Sequence, residues 1–476
     1  MSSSPSTKTR ITALLCILSV LAYVGMASVD WRFGTLRDQF VVQTIGWYLA
    51  AFVPFVALIV WAERCRGISM RWIWGAAIVA RLLLLTTTPT LSDDVYRYLW
   101  DGHVAANGVS PYALPIDSAE LNHLDTPIRA LANNTWMASP YMPSAQFIFH
   151  NAARLLPLSP LTLQILMVAF DLGSAYVLSK LLTLGGYAPR RLMLYLLNPF
   201  IIVEVAHSAH IDAWMLLLLL LAIYFTLRPQ PSQTDKIDRS AWLAPSLFAL
   251  ATLTKIIPVL ALPILFWRWS WKQLVGYGVL CLGLIVPAGL RAGWGLSGDL
   301  DGTGLFGALR IYANQWNFNS GLFRWIEKAL EHQASSDPLG QAKLLSLLLA
   351  LVVLLIVWLL ARNQPIHTTL RLMLVPFGAY LLLTPTVHPW YALIVVVFVP
   401  FLAPTVVESA ENNPHQPWLS TVPWLYLSAT LIFSYMTYRD PSDFREFEWV
   451  RQTEWIPTLL LLGVVLLNYG RRKLLD

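Results

Sequence analysis

Apolar runs recur from one end of the chain to the other, separated by short polar connectors and two long polar segments. The runs measure roughly 15–24 residues, and about 20 apolar residues in a helix cross the hydrocarbon layer of a bilayer. The pattern predicts an all-α polytopic membrane protein with about 13–14 transmembrane helices and two large outside loops. The expected spans are 11–29, 40–62, 72–91, 160–184, 192–206, 213–227, 241–254, 256–267, 273–290, 343–361, 371–387, 390–404, 418–437 and 455–470. No internal repeat is evident, so residues 1–476 read as one integral membrane domain. The loops at 92–159 and 291–342 carry most of the polar chemistry.

Composition supports this pattern. Only 13% of the residues are charged and 56% are hydrophobic, whereas a soluble domain carries about 25% charge. The formal charge of +6 is no sign of a nucleic-acid partner. The basic pairs Arg64/Arg66, Arg190/Arg191, Arg268/Lys272 and Arg471/Arg472 sit in short connectors. With both termini inside, all four pairs fall on the cytoplasmic side, as membrane topology favours. The loops 92–159 and 291–342 then lie outside. The first run, Ile11–Val29, follows Lys8 and Arg10 and is long enough to stay as an anchor rather than be cleaved. Cys16, Cys65 and Cys281 share no outside loop, so no disulfide framework is expected. Tyr141–Leu156 is apolar but carries His150, Asn151 and Arg154. A crossing there would send Arg190/Arg191 outside, so the segment is expected to lie in the interface. The short runs flanking Lys255 predict broken helices lining a cavity.

Four polar clusters fall on the outside under this topology. The densest is Ser92-Asp93-Asp94-Val95-Tyr96-Arg97-Tyr98-Leu99-Trp100-Asp101, which Gly108 and Pro111 end near Asn107. Ser92 is a good N-cap, and acids suit the first turn of a helix. At i,i+4 spacing Asp93 reaches Arg97 and Arg97 reaches Asp101. One reading is a solvated salt-bridge ladder. The other makes Asp94, which the ladder leaves over, a general base beside Tyr98. A second cluster is Glu204-Val205-Ala206-His207-Ser208-Ala209-His210-Ile211-Asp212. Its spacing matches no strong zinc signature, so its groups are expected to satisfy one another or line a polar cavity. Glu204 and Asp171 lie within spans, where ionisable groups are costly. Lys255, in Leu253-Thr254-Lys255, either snorkels to headgroups or meets a lipid phosphate. His388-Pro389-Trp390-Tyr391 and Tyr312-Ala313-Asn314-Gln315-Trp316 offer rings to anchor at the interface or to stack on a sugar. Asp299-Leu300-Asp301 resembles an Asp-x-Asp nucleotide-sugar motif, but nucleotide sugars are cytosolic and this loop is expected outside. Asn133-Asn134-Thr135 fits the N-glycosylation pattern, which matters only in an endoplasmic reticulum setting.

The first cluster, followed by Asn107-Gly108-Val109-Ser110-Pro111-Tyr112, resembles the GT-C superfamily of polyprenyl-phosphate-sugar-dependent glycosyltransferases. Its match is to the bacterial branch related to α-mannosyltransferases. That branch commonly continues with Tyr-Pro-Pro-x-Ala-Gln; here it reads Tyr141-Met142-Pro143-Ser144-Ala145-Gln146, one proline fewer. Leu197-Asn198-Pro199, His210-Ile211-Asp212, Leu253-Thr254-Lys255 and His388-Pro389-Trp390-Tyr391 are similar to further family elements. The resemblance covers roughly residues 70–405. It implies an inverting transferase that moves one hexose, mannose first, from a polyprenyl phosphate to a glycan or glycolipid acceptor. Asp94 or Asp93 would be the base, and Lys255, Arg97 and His388 would meet the donor phosphate. Tyr98, His210, Asp212, Trp316, Trp390 and Tyr391 would line the sugar and acceptor. No cofactor is required, no metal site is assigned, and a divalent metal is optional. The other partners are membrane lipids. The resemblance implies a bacterial plasma membrane with the active site on its extracytoplasmic face, or the endoplasmic reticulum membrane in a eukaryote. Rival readings are a transporter or lipid flippase, a glycan polymerase or ligase, and a non-catalytic scaffold.

Overall fold

The computed structural model describes residues 5–33, 37–65, 68–229, 242–296, 302–333, 335–403, 406, 419–439 and 445–473. The protein is an all-α polytopic membrane protein, and the nearest thing to a sheet among the described residues is an isolated bridge, Phe318 to Thr386. Seven helices among the described residues are long and apolar enough to cross a bilayer, or up to eight if one bent pair counts as a span. Asp299-Leu300-Asp301 and residues 230–241 lie outside the described residues.

The shortfall from fourteen expected spans has a physical cause. The run at 192–206 breaks into short turns and a π-helical stretch, Val203–His207, and bends by 119° before Asp212–Leu227. The runs at 241–254, 256–267, 390–404 and 418–437 likewise become short α- and 3-10 pieces. Pro199, Pro258, Pro389, Pro400 and Pro423 each open one of these pieces. Proline fits a first turn but cannot donate the hydrogen bond an unbroken helix needs. Hydropathy is blind to such breaks.

The chain divides into two compact units. Unit 1 comprises Met1–Thr87, Leu178–Glu204 and Asn317–Asp476. Within it α1 (Pro5–Phe33) packs along α2 (Arg37–Arg64). A Cβ at Gly25 would meet the Trp47 ring at 2.4 Å, so only glycine lets the two helices approach this closely. α3 (Met70–Leu84) buries Arg81, whose guanidinium donates to the Ala77 and Leu196 carbonyls. Glu63 lies 3.1 Å from Arg191 and 3.5 Å from Arg190, so residues 63 and 190 sit at the same end of this unit.

Unit 2 comprises Thr88–Val177 and Val205–Trp316. It holds α4 (Asp94–Ala106), α5 (Pro143–Leu155) and most of α6 (Pro160–Leu184). With 13 residues, α5 is about 20 Å long, well short of a hydrocarbon layer of about 30 Å. It is amphipathic: Phe149 and Ala152 are buried, whereas Phe147 and Leu155 are exposed. Gly102 lets α4 close on α5, because a Cβ there would strike the Phe149 carbonyl oxygen at 2.3 Å.

Candidate active site

The acid pair stands where the chain enters α4. Asp93, rather than Ser92, is the N-cap, and the Ser92 hydroxyl accepts the Asp94 N–H at 3.3 Å. The helix ends at Asn107, with Gly108 left-handed at φ +84°. The expected ladder survives only in its second rung. Arg97 Nε donates to Asp101 at 3.0 Å, while Nη1 serves the Asn133 and Asn134 carbonyls and Nη2 the Met137 carbonyl. Arg97 is 1% exposed. It ties the 107–142 loop to α4.

Asp93 pairs instead with Asn133, whose side-chain nitrogen lies 2.9 Å from one Asp93 oxygen and 2.7 Å from one Asp94 oxygen. Tyr98 points its hydroxyl at Asp94 from 3.4 Å, and His210 Nδ1 lies 3.9 Å from the same carboxylate. Burial and the adjacent Asp93 charge raise the Asp94 pKa to about 6, against the lowering effects of Asn133 and Lys255. That value leaves Asp94 ionised at neutral pH and still basic enough to accept a proton. The Tyr98 phenol is held far above its usual range by burial and by Asp94, so it stays a hydrogen-bond donor.

His210 and Asp212 arrive from the break before helix Asp212–Leu227. Ala209 there adopts φ +57°, a left-handed conformation that costs a non-glycine residue energy and often marks a site. Asp212 accepts a 2.5 Å hydrogen bond from Lys255 Nζ. Lys255 in turn is placed by a contact between two motifs distant in sequence. The Ser144 N–H donates to the Leu253 carbonyl, and the Ser144 hydroxyl accepts from Thr254 and from Trp214 Nε1. Gln146 and Ser139 donate to Asp101, two turns along α4 from Asp94. Tyr98 stacks on Phe149 and meets Tyr141 edge-on. Each polar member of Tyr141–Gln146 thus has a contact that fixes α4 or Lys255. Sequence reading saw the motif but not these jobs; it met Asn133 only in a glycosylation pattern and did not single out Ser139.

The remaining candidates have their own surroundings within each unit. Trp316 closes unit 2 and packs on Tyr312, at 4.4 Å between rings, and on Met137, Ala308 and Ile311. His388, Trp390 and Tyr391 belong to unit 1. His388 is sandwiched there between Phe318 and Trp390, with ring centroids 4.9 and 4.6 Å away, and is 6% exposed. That stack fixes the His388 ring within unit 1. His207 bonds Thr90, and Glu204 in unit 1 accepts from Tyr435 at 2.8 Å. Among the described residues no group of three or more His, Cys, Asp or Glu side chains is arranged to hold a metal ion. Unit 1 also holds an open polar cavity of about 330 Å³ lined by Asn317, Arg324, Glu446, Glu448 and Arg451.

A family model described as alpha-(1->6)-mannopyranosyltransferase, N-terminal domain, matches residues 8–271. The match covers more than half of the chain and takes in Asp93, Asp94, Asn133, Gln146, His210, Asp212 and Lys255. No curated protein and no solved structure matches.

Proposed function

Since the chain belongs to the alpha-(1->6)-mannopyranosyltransferase family, we propose that it transfers mannose from a polyprenyl-phosphate donor to the 6-hydroxyl of a mannose-containing glycan or glycolipid. The observation that carries this reading is the convergence of Asp93, Asp94, His210, Asp212 and Lys255 from three separate stretches of unit 2. It joins a base to a cation, as transfer from a phosphate ester requires.

In the proposed reaction the Asp94 carboxylate takes the proton of the acceptor hydroxyl. The hydroxyl oxygen forms a bond to the sugar C1, and the bond from C1 to the phosphate oxygen breaks. Lys255 neutralises the departing polyprenyl phosphate, a task a fixed cation performs best where water is scarce. Asp212 holds the Lys255 ammonium in place until the donor arrives. Direct displacement inverts C1, so an α product requires a β-linked donor. Arg97 and Asp101 act through the loop they fix rather than on the substrate. The membrane-embedded donor and the expected topology put the reaction on the extracytoplasmic face of a bacterial plasma membrane.

The test is to give the purified protein a panel of polyprenyl-phosphate sugars and nucleotide sugars with a mannoside acceptor, and to analyse products by mass spectrometry. Growth of the acceptor by one hexose only with polyprenyl-phosphate mannose is expected. Transfer from a nucleotide sugar, or no transfer from any donor, would overturn the reading.

A further inference from the structure

The Asn133 side chain bonds to both carboxylates of the acid pair, and no sequence motif assigned it a role there. We propose that Asn133 is a positioning residue for the transfer, holding Asp93 and Asp94 as a pair and keeping the Asp94 carboxyl ionised and aimed. This rests on the reading of Asp94 as the base.

The geometry is a closed circuit. An amide nitrogen carries two hydrogens, one for each carboxylate. Its backbone is fixed in turn, because the Asn133 and Asn134 carbonyls accept from Arg97, which is anchored on Asp101. Asn134 follows in a left-handed conformation at φ +48°, which marks the turn. The chain thus leaves α4, wraps back and sets a neutral double donor between two neighbouring negative charges. Two carboxylates side by side repel, and each donor bond favours the ionised form. Asp93 and Tyr98 face Asp94 from α4, Tyr141 from the turn before α5, His210 and Asp212 from the break, and Lys255 from its own loop. Asn133 is a neutral donor that bridges the pair.

The experiment is a single-turnover pH–rate profile at saturating donor for the wild-type protein, Asn133→Ala, Asn133→Ser and Asp94→Asn. Loss of the donor raises the pH at which Asp94 ionises. The acid limb of Asn133→Ala should therefore move up by about half a pH unit or more, with much of the rate recovered at alkaline pH. Asn133→Ser keeps one donor and should fall between. A loss of rate equal at every pH, or a profile that does not move, overturns the proposal. So does failure of both Asn133 variants to give folded protein, which would make Asn133 a residue of the fold alone. Full activity in Asp94→Asn would instead refute the base itself, so the two failures are distinguishable.

Discussion

Two charged regions of this protein follow opposite rules. In unit 1, Arg451 pairs with Glu446 and Glu448, Lys328 with Glu448, and Arg324 with Glu327 and Glu331. Charges of both signs alternate around an open cavity, several are substantially exposed, and each cation shown there has its carboxylate. In unit 2, two carboxylates stand side by side at one helix start, a neutral amide bridges them, and the ammonium nearby is engaged by a third acid. Satisfied, half-exposed ion pairs are the signature of a solvated surface and contribute little. Like charges gathered in a buried place cost stability, and they persist where chemistry needs them.

Removing Arg97 should have the largest effect on the fold. Arg97→Met leaves Asp101 buried without its cation and frees the loop from α4. Breaking one side of a buried pair costs about 3–5 kcal/mol, and a thermal melt in detergent should fall accordingly. A melt within a degree or two of wild type would show that the clamp is dispensable.

Lys255→Ala comes next. It should raise the apparent KM for the donor about tenfold or more, on the order of 1.4 kcal/mol, with Lys255→Arg restoring part of the loss. Donor kinetics that do not change would return Lys255 to the role of a snorkelling side chain.

Asp93→Asn sharpens the comparison further. The Asp93 charge raises the Asp94 pKa, so its removal should lower it. The acid limb of the rate profile should move below about pH 6, while turnover at neutral pH falls by no more than about tenfold. An upward shift would contradict the coupling.

The smallest effect belongs to unit 1. Arg451→Ala removes two partly exposed ion pairs and should cost about 1 kcal/mol or less, with donor use unaltered. A loss of turnover there would mean that the two regions are not as different as their charge patterns suggest.

Much of this was legible in the sequence, and the remainder was hidden for definite reasons. The acid pair stood out because it opens the densest polar cluster, just after an apolar run, and the i,i+4 ladder left Asp94 over. The end of α4 near Asn107 followed from Gly108. Seven of the fourteen expected runs form helices long enough to cross alone, Met70–Leu84 and Asp212–Leu227 are unbroken but shorter, and the rest are short pieces. Of these only the breaks around Lys255 were expected, because hydropathy averages over a proline that opens a new turn. The loop contacts of Arg97 were not legible because i,i+4 spacing permits two partners and does not report the loop carbonyls that claim the other donors. Asn133 was invisible because its bonds cross about forty residues and its local motif spelled out unrelated chemistry. The stack of His388 on Phe318 was not legible because the two rings stand seventy positions apart in sequence.

The central claim is that Asp94 is the base, and Asp94→Asn tests it most directly. Asparagine keeps the shape and the Asn133 contact but cannot take a proton. With polyprenyl-phosphate mannose and a mannoside acceptor, turnover should fall about 10²-fold or more. Donor binding should be nearly intact. Because the Asp94 pKa is raised in the fold, stability from its protonated form is present at low pH and lost as pH rises through about 6. The neutral asparagine avoids that loss, so the variant should melt no lower than wild type at neutral pH. A folded Asp94→Asn protein that transfers mannose at the wild-type rate would contradict the account.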